Sequence, residues 1–210
     1  GKTIVTYELL WHYLQEGNRT LYITTEDTPQ LIMAKMKRFG WDAEPFLTDG
    51  RLAFIDMYSW RLHNIEKPMR TDYGVMIEPF AIDSMRPLIW EELLAIFKEY
   101  PTRVLYDCAS TPFSDQGPKD YLSFLKSHVA KVKDIGSGVA TLASGALPPR
   151  LESSVLSLFD ILIETQVEYE PVPRRYFRVV KSSGKHVEER LEYRIGDRGI
   201  EVYGRPFSKV

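Results

Sequence analysis

The sequence lacks most of the features that would assign it elsewhere. One cysteine, Cys108, in 210 residues allows no internal disulfide, in keeping with a reducing compartment. No apolar run approaches the roughly 18 residues that span a bilayer, and no signal-peptide pattern opens the chain, so the expectation is a cytoplasmic protein without membrane insertion. Positive charge is not in surplus: 27 Lys and Arg against 29 Asp and Glu leave a net charge of -2. That balance argues against a broad nucleic-acid surface and leaves only a local strip such as Arg174-Arg175 with Arg178. His/Cys spacing suited to zinc is missing. The chain also lacks an initiating Met, and the expectation is a cropped portion of something longer. What remains is 44% hydrophobic and 27% charged, the profile of one globular domain with a substantial core.

The first three residues, Gly1-Lys2-Thr3, run straight into an amphipathic helical stretch. They read as the last half of a phosphate-binding loop, G-x-x-x-x-G-K-[ST], whose first half is absent. In the complete motif, backbone N–H groups and a helix N-terminus surround the phosphates, the Lys reaches the β/γ oxygens, and the hydroxyl holds Mg²⁺. The tripeptide alone is weak, and an ordinary helix start capped by Thr is the plain alternative. Its position strengthens it: Ile4, Val5, Leu9, Leu10 and Leu14 follow at helical spacing, and Gly17-Asn18 is a stop signal.

Helical and strand patterns then alternate in the manner of a mostly parallel sheet with helices on both faces. Thr20 to Thr25 is a strand. Glu26 to Pro29 makes a strand-to-helix turn, with Thr28 at the N-cap, Pro29 at the first helical position and a helix running to Phe39. Arg51 to Asp56 is a further strand. Three prolines and mixed polarity between Tyr58 and Pro87 suggest an irregular insertion, a lid or partner segment. Helices are expected over Leu88 to Tyr100 and about Lys119 to Lys133, with buried-type strands at Arg103 to Asp107 and Gly138 to Ala143. From Asp160 onward, short strands joined by turns suggest an antiparallel C-terminal extension of the sheet.

Three acids fall at strand ends. Asp107 can position a Mg²⁺-bound water beside the phosphate loop or merely cap the following turn. Glu26 and Asp27 can polarise an attacking water or favour a helix N-terminus electrostatically; both can hold at once. Ser144 can sense a terminal phosphate, although a Ser in a turn is common. His12 and His128 sit in helical patterns and read as ordinary packed or surface residues.

Taken together, Gly1-Lys2-Thr3, the Tyr-Ile-Thr-Thr-Glu-Asp-Thr-Pro run at 22–29, Met36-Lys-Arg-Phe-Gly-Trp-Asp42, the strand ending in Asp107, the run at 179–186 and Gly199-Ile-Glu-Val202 resemble the KaiC-like ATPases of the RecA superfamily. The resemblance covers nearly the whole chain except 58–87. It implies a single RecA-like P-loop α/β domain over 1–210, with ATP and Mg²⁺ as cofactors. Lys2 and Thr3 would be Walker A residues beside Gly1, Thr3 and Asp107 would serve the metal, and Glu26 with Asp27 would stand where this family carries paired catalytic glutamates. It also implies a homo-oligomer, with a hexamer as one form. Lys181 matches a lysine that acts across the subunit boundary in KaiC, but Ser183 stands where KaiC has an arginine, and a missing trans-acting Arg costs several orders of magnitude where such fingers operate. The expectation is a slow Mg²⁺-dependent ATPase working as a regulatory or signalling switch. A non-catalytic ATP-bound ring scaffold of the archaellum-motor type, docking on protein partners, is the alternative. A recombinase paralogue is disfavoured by the loop from Pro112 to Lys119, which offers one Phe and one Lys to single-stranded DNA.

Overall fold

The computed structural model describes residues 1–63, 67–78, 86–115, 117–169, 171–184 and 189–203. Parts of several sequence expectations lie outside the described residues: 64–66 and 79–85 of the 58–87 stretch, Gln116, and residues 185–188 of the late run.

The chain builds α1 (Lys2–Gln15), β1 (Thr20–Thr24), α2 (Pro29–Lys37), α3 (Glu44–Thr48), β2 (Leu52–Asp56), α4 (Trp60–His63), β3 (Met69–Thr71), β4 (Gly74–Met76), α5 (Arg86–Phe97), β5 (Arg103–Asp107), α6 (Pro118–Ile135), β6 (Ser137–Ala140), α7 (Pro149–Leu156) and β7 to β10 (Leu162–Glu168, Arg174–Lys181, Leu191–Gly196, Gly199–Tyr203). A 3₁₀ turn, Thr111–Asp115, follows β5. The main sheet has six strands in the order β3-β4-β2-β1-β5-β6. Every pairing is parallel except β3 with β4. This is the α/β architecture expected from the alternating pattern.

β1 and β2 are buried at every position, which is why Leu21-Tyr22-Ile23 and Leu52-Ala53-Phe54-Ile55 show no alternation with polar residues. Their side chains alternate between two cores. Tyr22, Leu52, Phe54 and Leu105 face Tyr7, Leu10 and Leu14 of α1, Ile32 and Met36 of α2, and Phe46 of α3. Leu21, Ile23, Ala53, Ile55, Val104 and Tyr106 face Leu93 of α5, Tyr121, Phe124 and Leu125 of α6, and Leu151 and Val155 of α7. Thr28 caps α2 as expected, its hydroxyl accepting from Leu31 N at 3.2 Å.

Two expectations are revised. Within 58–87, expected to be irregular, the described residues form a helical turn and the β3–β4 pair, which extends the main sheet through Phe54↔Gly74 and Asp56↔Met76. The C-terminal strands do not prolong the main sheet; they form their own antiparallel sheet, β10-β9-β8-β7. Its register places Ile163, Val167, Phe177, Val179, Tyr193 and Val202 on one face. The opposite face carries the ion pairs Arg178–Glu164 at 2.9 Å, Arg174–Glu192 at 3.9 Å and Arg194–Glu201 at 2.5 Å.

Candidate nucleotide site

Gly1 is the N-cap of α1, and Lys2 and Thr3 occupy its first turn, where N–H groups have no intrahelical partner. The helix therefore presents donors and a positive dipole end where a phosphate chain would need them.

Across the sheet edge, β1 and β5 end together. Thr24 and Asp107 are in register, and Thr25 joins the strands beyond that point: its N–H donates to the Asp107 carbonyl at 3.0 Å, and its hydroxyl donates to the Cys108 carbonyl at 2.9 Å. Glu26, Asp27 and Asp107 consequently lie at one carboxyl edge, beside the start of α1. Their nearness is felt at Tyr7, one turn past Thr3. Burial pushes that phenol well above its ordinary range, and the charges of Asp27, Asp107 and Glu26 add to the rise. The Tyr7 hydroxyl is buried, and Asp27 is the side chain it faces.

The three acids have unlike surroundings. Asp107 is only 6% exposed. The Thr141 hydroxyl donates to its Oδ1 at 2.5 Å, and the Tyr22 hydroxyl to its Oδ2 at 3.2 Å. Asp27 is ion-paired with Lys35 at 2.5 Å, while the Thr24 hydroxyl donates to its backbone carbonyl at 2.6 Å. Glu26 is exposed, with Oε1 accepting from the Thr111 hydroxyl at 3.1 Å. Glu26 is thus the carboxylate turned to solvent.

Asp107, with both oxygens held by hydroxyls, suits a role through a metal-bound water, and the Thr3 hydroxyl supplies a hard oxygen donor of the kind Mg²⁺ takes. Ser144 is exposed in the turn after β6. Lys181 is engaged within its own chain, donating to the Phe159 carbonyl at 2.5 Å, and Ser183 is exposed.

Residues of the small sheet reach the same place. A Cβ at Gly1 would collide with the Tyr193 hydroxyl, so this phenol lies directly against the loop. Arg175, in register with Tyr193, shares its face, and its charge bears on both the Gly1 nitrogen and the Tyr193 phenol. The sequence signal was present in the alternation Arg175-x-Phe177-x-Val179 against Leu191-x-Tyr193-x-Ile195, which turns Arg175 away from Arg174 and Arg178. Reading Arg174, Arg175 and Arg178 as one strip concealed it.

A mostly parallel sheet flanked by helices, with a Gly-Lys-Thr helix start beside strand-end acids, is the architecture of a RecA-like α/β fold. The KaiC ATPase family matches residues 1–89. A UPF0273 protein of Thermotoga maritima is 25% identical over 97% of this chain and 83% of its own length. One of Aeropyrum pernix is likewise 25% identical, over 97% and 81%. The circadian clock protein KaiC3 of Synechocystis is 31% identical over 56 residues, 27% of this chain and 11% of that protein. The crystal structure of the KaiC-like protein PH0186 of Pyrococcus horikoshii superposes with a TM-score of 0.74 at 17% identity, covering 97% of this chain and 84% of that one. The chain thus resembles KaiC-like proteins over nearly its whole length, and it shares their RecA-like fold. No helix among the described residues is long and apolar enough to cross a membrane.

Proposed function

We propose that this protein is a slow Mg²⁺-dependent ATPase whose bound nucleotide sets a regulatory or signalling state, acting as a single-domain homo-oligomer in the cytoplasm. The observation that carries this reading is the meeting of the α1 N-terminus, Glu26 and Asp107 at one sheet edge. Gly1 and Lys2 hold the phosphates, and Thr3 and Asp107 position Mg²⁺, which when bound offsets charge developing on the transferred phosphoryl group. Glu26 orients and polarises the attacking water. Asp27 supports the turn through Lys35, and Ser144 borders the terminal phosphate. Slow turnover follows from Ser183 in place of a trans-acting arginine and from the local engagement of Lys181.

The same engagement of Lys181 favours a second reading, an ATP-bound scaffold that assembles and docks on protein partners without turnover. Nucleic acid is a poor partner for either, because Arg174 and Arg178 are already paired with Glu192 and Glu164. ATP hydrolysis and nucleotide-dependent mass by light scattering separate the possibilities. Turnover lost in both Lys2→Ala and Glu26→Gln supports the ATPase. Binding lost in Lys2→Ala without measurable parental turnover supports the scaffold. An absence of ATP binding by the parent overturns both.

A further inference from the structure

Beneath the candidate site runs a chain of buried hydroxyls. The Thr6 hydroxyl lies 2.8 Å from the Thr3 carbonyl and 2.9 Å from the Tyr22 hydroxyl, which lies 3.2 Å from Asp107 Oδ2. Thr6 and Tyr22 are fully buried, so water does not substitute for these contacts. Three gaps are bridged by two hydroxyl protons, one from Thr6 and one from Tyr22. If Tyr22 donates to Asp107, Thr6 is free to donate to Tyr22 or to Thr3. If Tyr22 donates to Thr6, Thr6 donates to Thr3 and Asp107 loses this bond. The hold on Asp107 therefore depends on the geometry of the first turn of α1, the turn that carries Lys2 and Thr3. Burial raises the Tyr22 phenol well above its ordinary range, so it remains a donor at neutral pH.

We propose that Tyr22 is a positioning residue that couples the phosphate-binding turn of α1 to the metal-side carboxylate of Asp107. The inference rests on the ATP-binding reading above and adds to it a residue that touches neither phosphate nor metal. Thr141, just past the end of β6, holds the other oxygen of Asp107, so the carboxylate is fixed from two sides while only the Tyr22 arm responds to α1. A hydroxyl placed this way acts on the benefit that Mg²⁺ brings to ATP binding, and not on ATP binding as such.

The test is ATP affinity, by titration calorimetry, with Mg²⁺ and with the metal chelated. Tyr22→Phe keeps the ring that packs against Tyr7 and Phe54 and removes only the hydroxyl. Its expected effect is a loss of about tenfold in the affinity gained from Mg²⁺, the size of one hydrogen bond to a charged group, with metal-free affinity unchanged. Thr6→Val is expected to reduce the gain in the same direction, and Thr6→Ser to restore it. In an Asp107→Asn background, Tyr22→Phe should add little, because coupled residues are non-additive, whereas a merely structural loss would persist. An unchanged Mg²⁺ gain in Tyr22→Phe, or an equal loss with Asp107→Asn present, overturns the coupling while leaving the ATP-binding reading intact. A parent whose ATP affinity ignores Mg²⁺ overturns both.

Discussion

Glu26 and Asp27 are neighbours in the chain with different surroundings in the fold. Asp27 is tied to Lys35, and the pair is partly exposed, at 37% and 21% for the Lys and Asp side chains, so it stabilises by no more than about 1 kcal/mol. Glu26 accepts from the Thr111 hydroxyl and is otherwise exposed to solvent among the described residues. Glu26→Gln is therefore expected to lower ATP turnover by about 10²- to 10⁴-fold, the usual contribution of a general base, with an unchanged melting temperature. Asp27→Asn is expected to cost less in turnover and to lower the melting temperature slightly. Steady-state hydrolysis and thermal melts on both variants measure this; equal losses of turnover would mean that the two acids act as a pair. The sequence placed both acids, Asp107 and the Thr28 cap correctly at strand and helix ends, since each is announced within a few residues. It could not separate the acids from each other, because the partners that do so, Lys35 and Thr111, lie 8 and 85 residues away.

At the scale of elements, long periodic segments were legible. α1, α2, α5 and α6 and the buried strands of the main sheet follow directly from periodicity and from Gly and Pro boundaries. Outside the 58–87 stretch, two short helices were not. α3 buries only Phe46, and α7 buries only Leu151 and Val155, too few apolar positions to establish a period. β3 and β4 have three residues each, and only pairing places them in the sheet, β4 against β2 and β3 against β4.

The small sheet was legible as strands but not as a separate body, because its attachment is tertiary. It docks on α1 where Ile200 N donates to Glu8 Oε2 at 2.8 Å. Gly199 sits beside that bond at φ +116, and a Cβ there would come within 2.6 Å of Trp41 Cζ2 and 2.8 Å of Glu8 Oε2. Gly199→Ala is thus expected to destabilise the protein by about 2 kcal/mol or more, through strained backbone and steric overlap together. Chemical denaturation followed by tryptophan fluorescence reads this directly, since Trp41 is buried against Phe39. A neutral Gly199→Ala would mean that the docking of β10 on α1 is looser than described.

Over the whole molecule, buried phenols set a pH limit. Tyr7, Tyr22, Tyr106 and Tyr121 are all raised from an ordinary value of 10.0, chiefly by burial. Below pH 10 both folded and unfolded chains keep these protons. Above it the unfolded chain releases them while the folded chain does not, so stability falls as pH rises. The melting temperature is expected to hold to about pH 10 and to drop steeply beyond, with tyrosinate absorbance from these residues appearing only as the fold is lost. Early, non-cooperative appearance of the full tyrosinate signal would contradict this.

The packing of α1 has a mechanical consequence. One side of the helix lies on the main sheet through Tyr7, Leu10 and Leu14, while Glu8 and Gly1 meet Ile200 and Tyr193 of the small sheet. On the nucleotide-binding reading proposed above, any shift of α1 on filling of the phosphate loop would be levered into that sheet. Ile163 and Val202, 62% and 51% exposed, lie on the same face as Tyr193 and form the lever's outer arm. Whatever rests on that face would feel, as a push, whether the nucleotide is there.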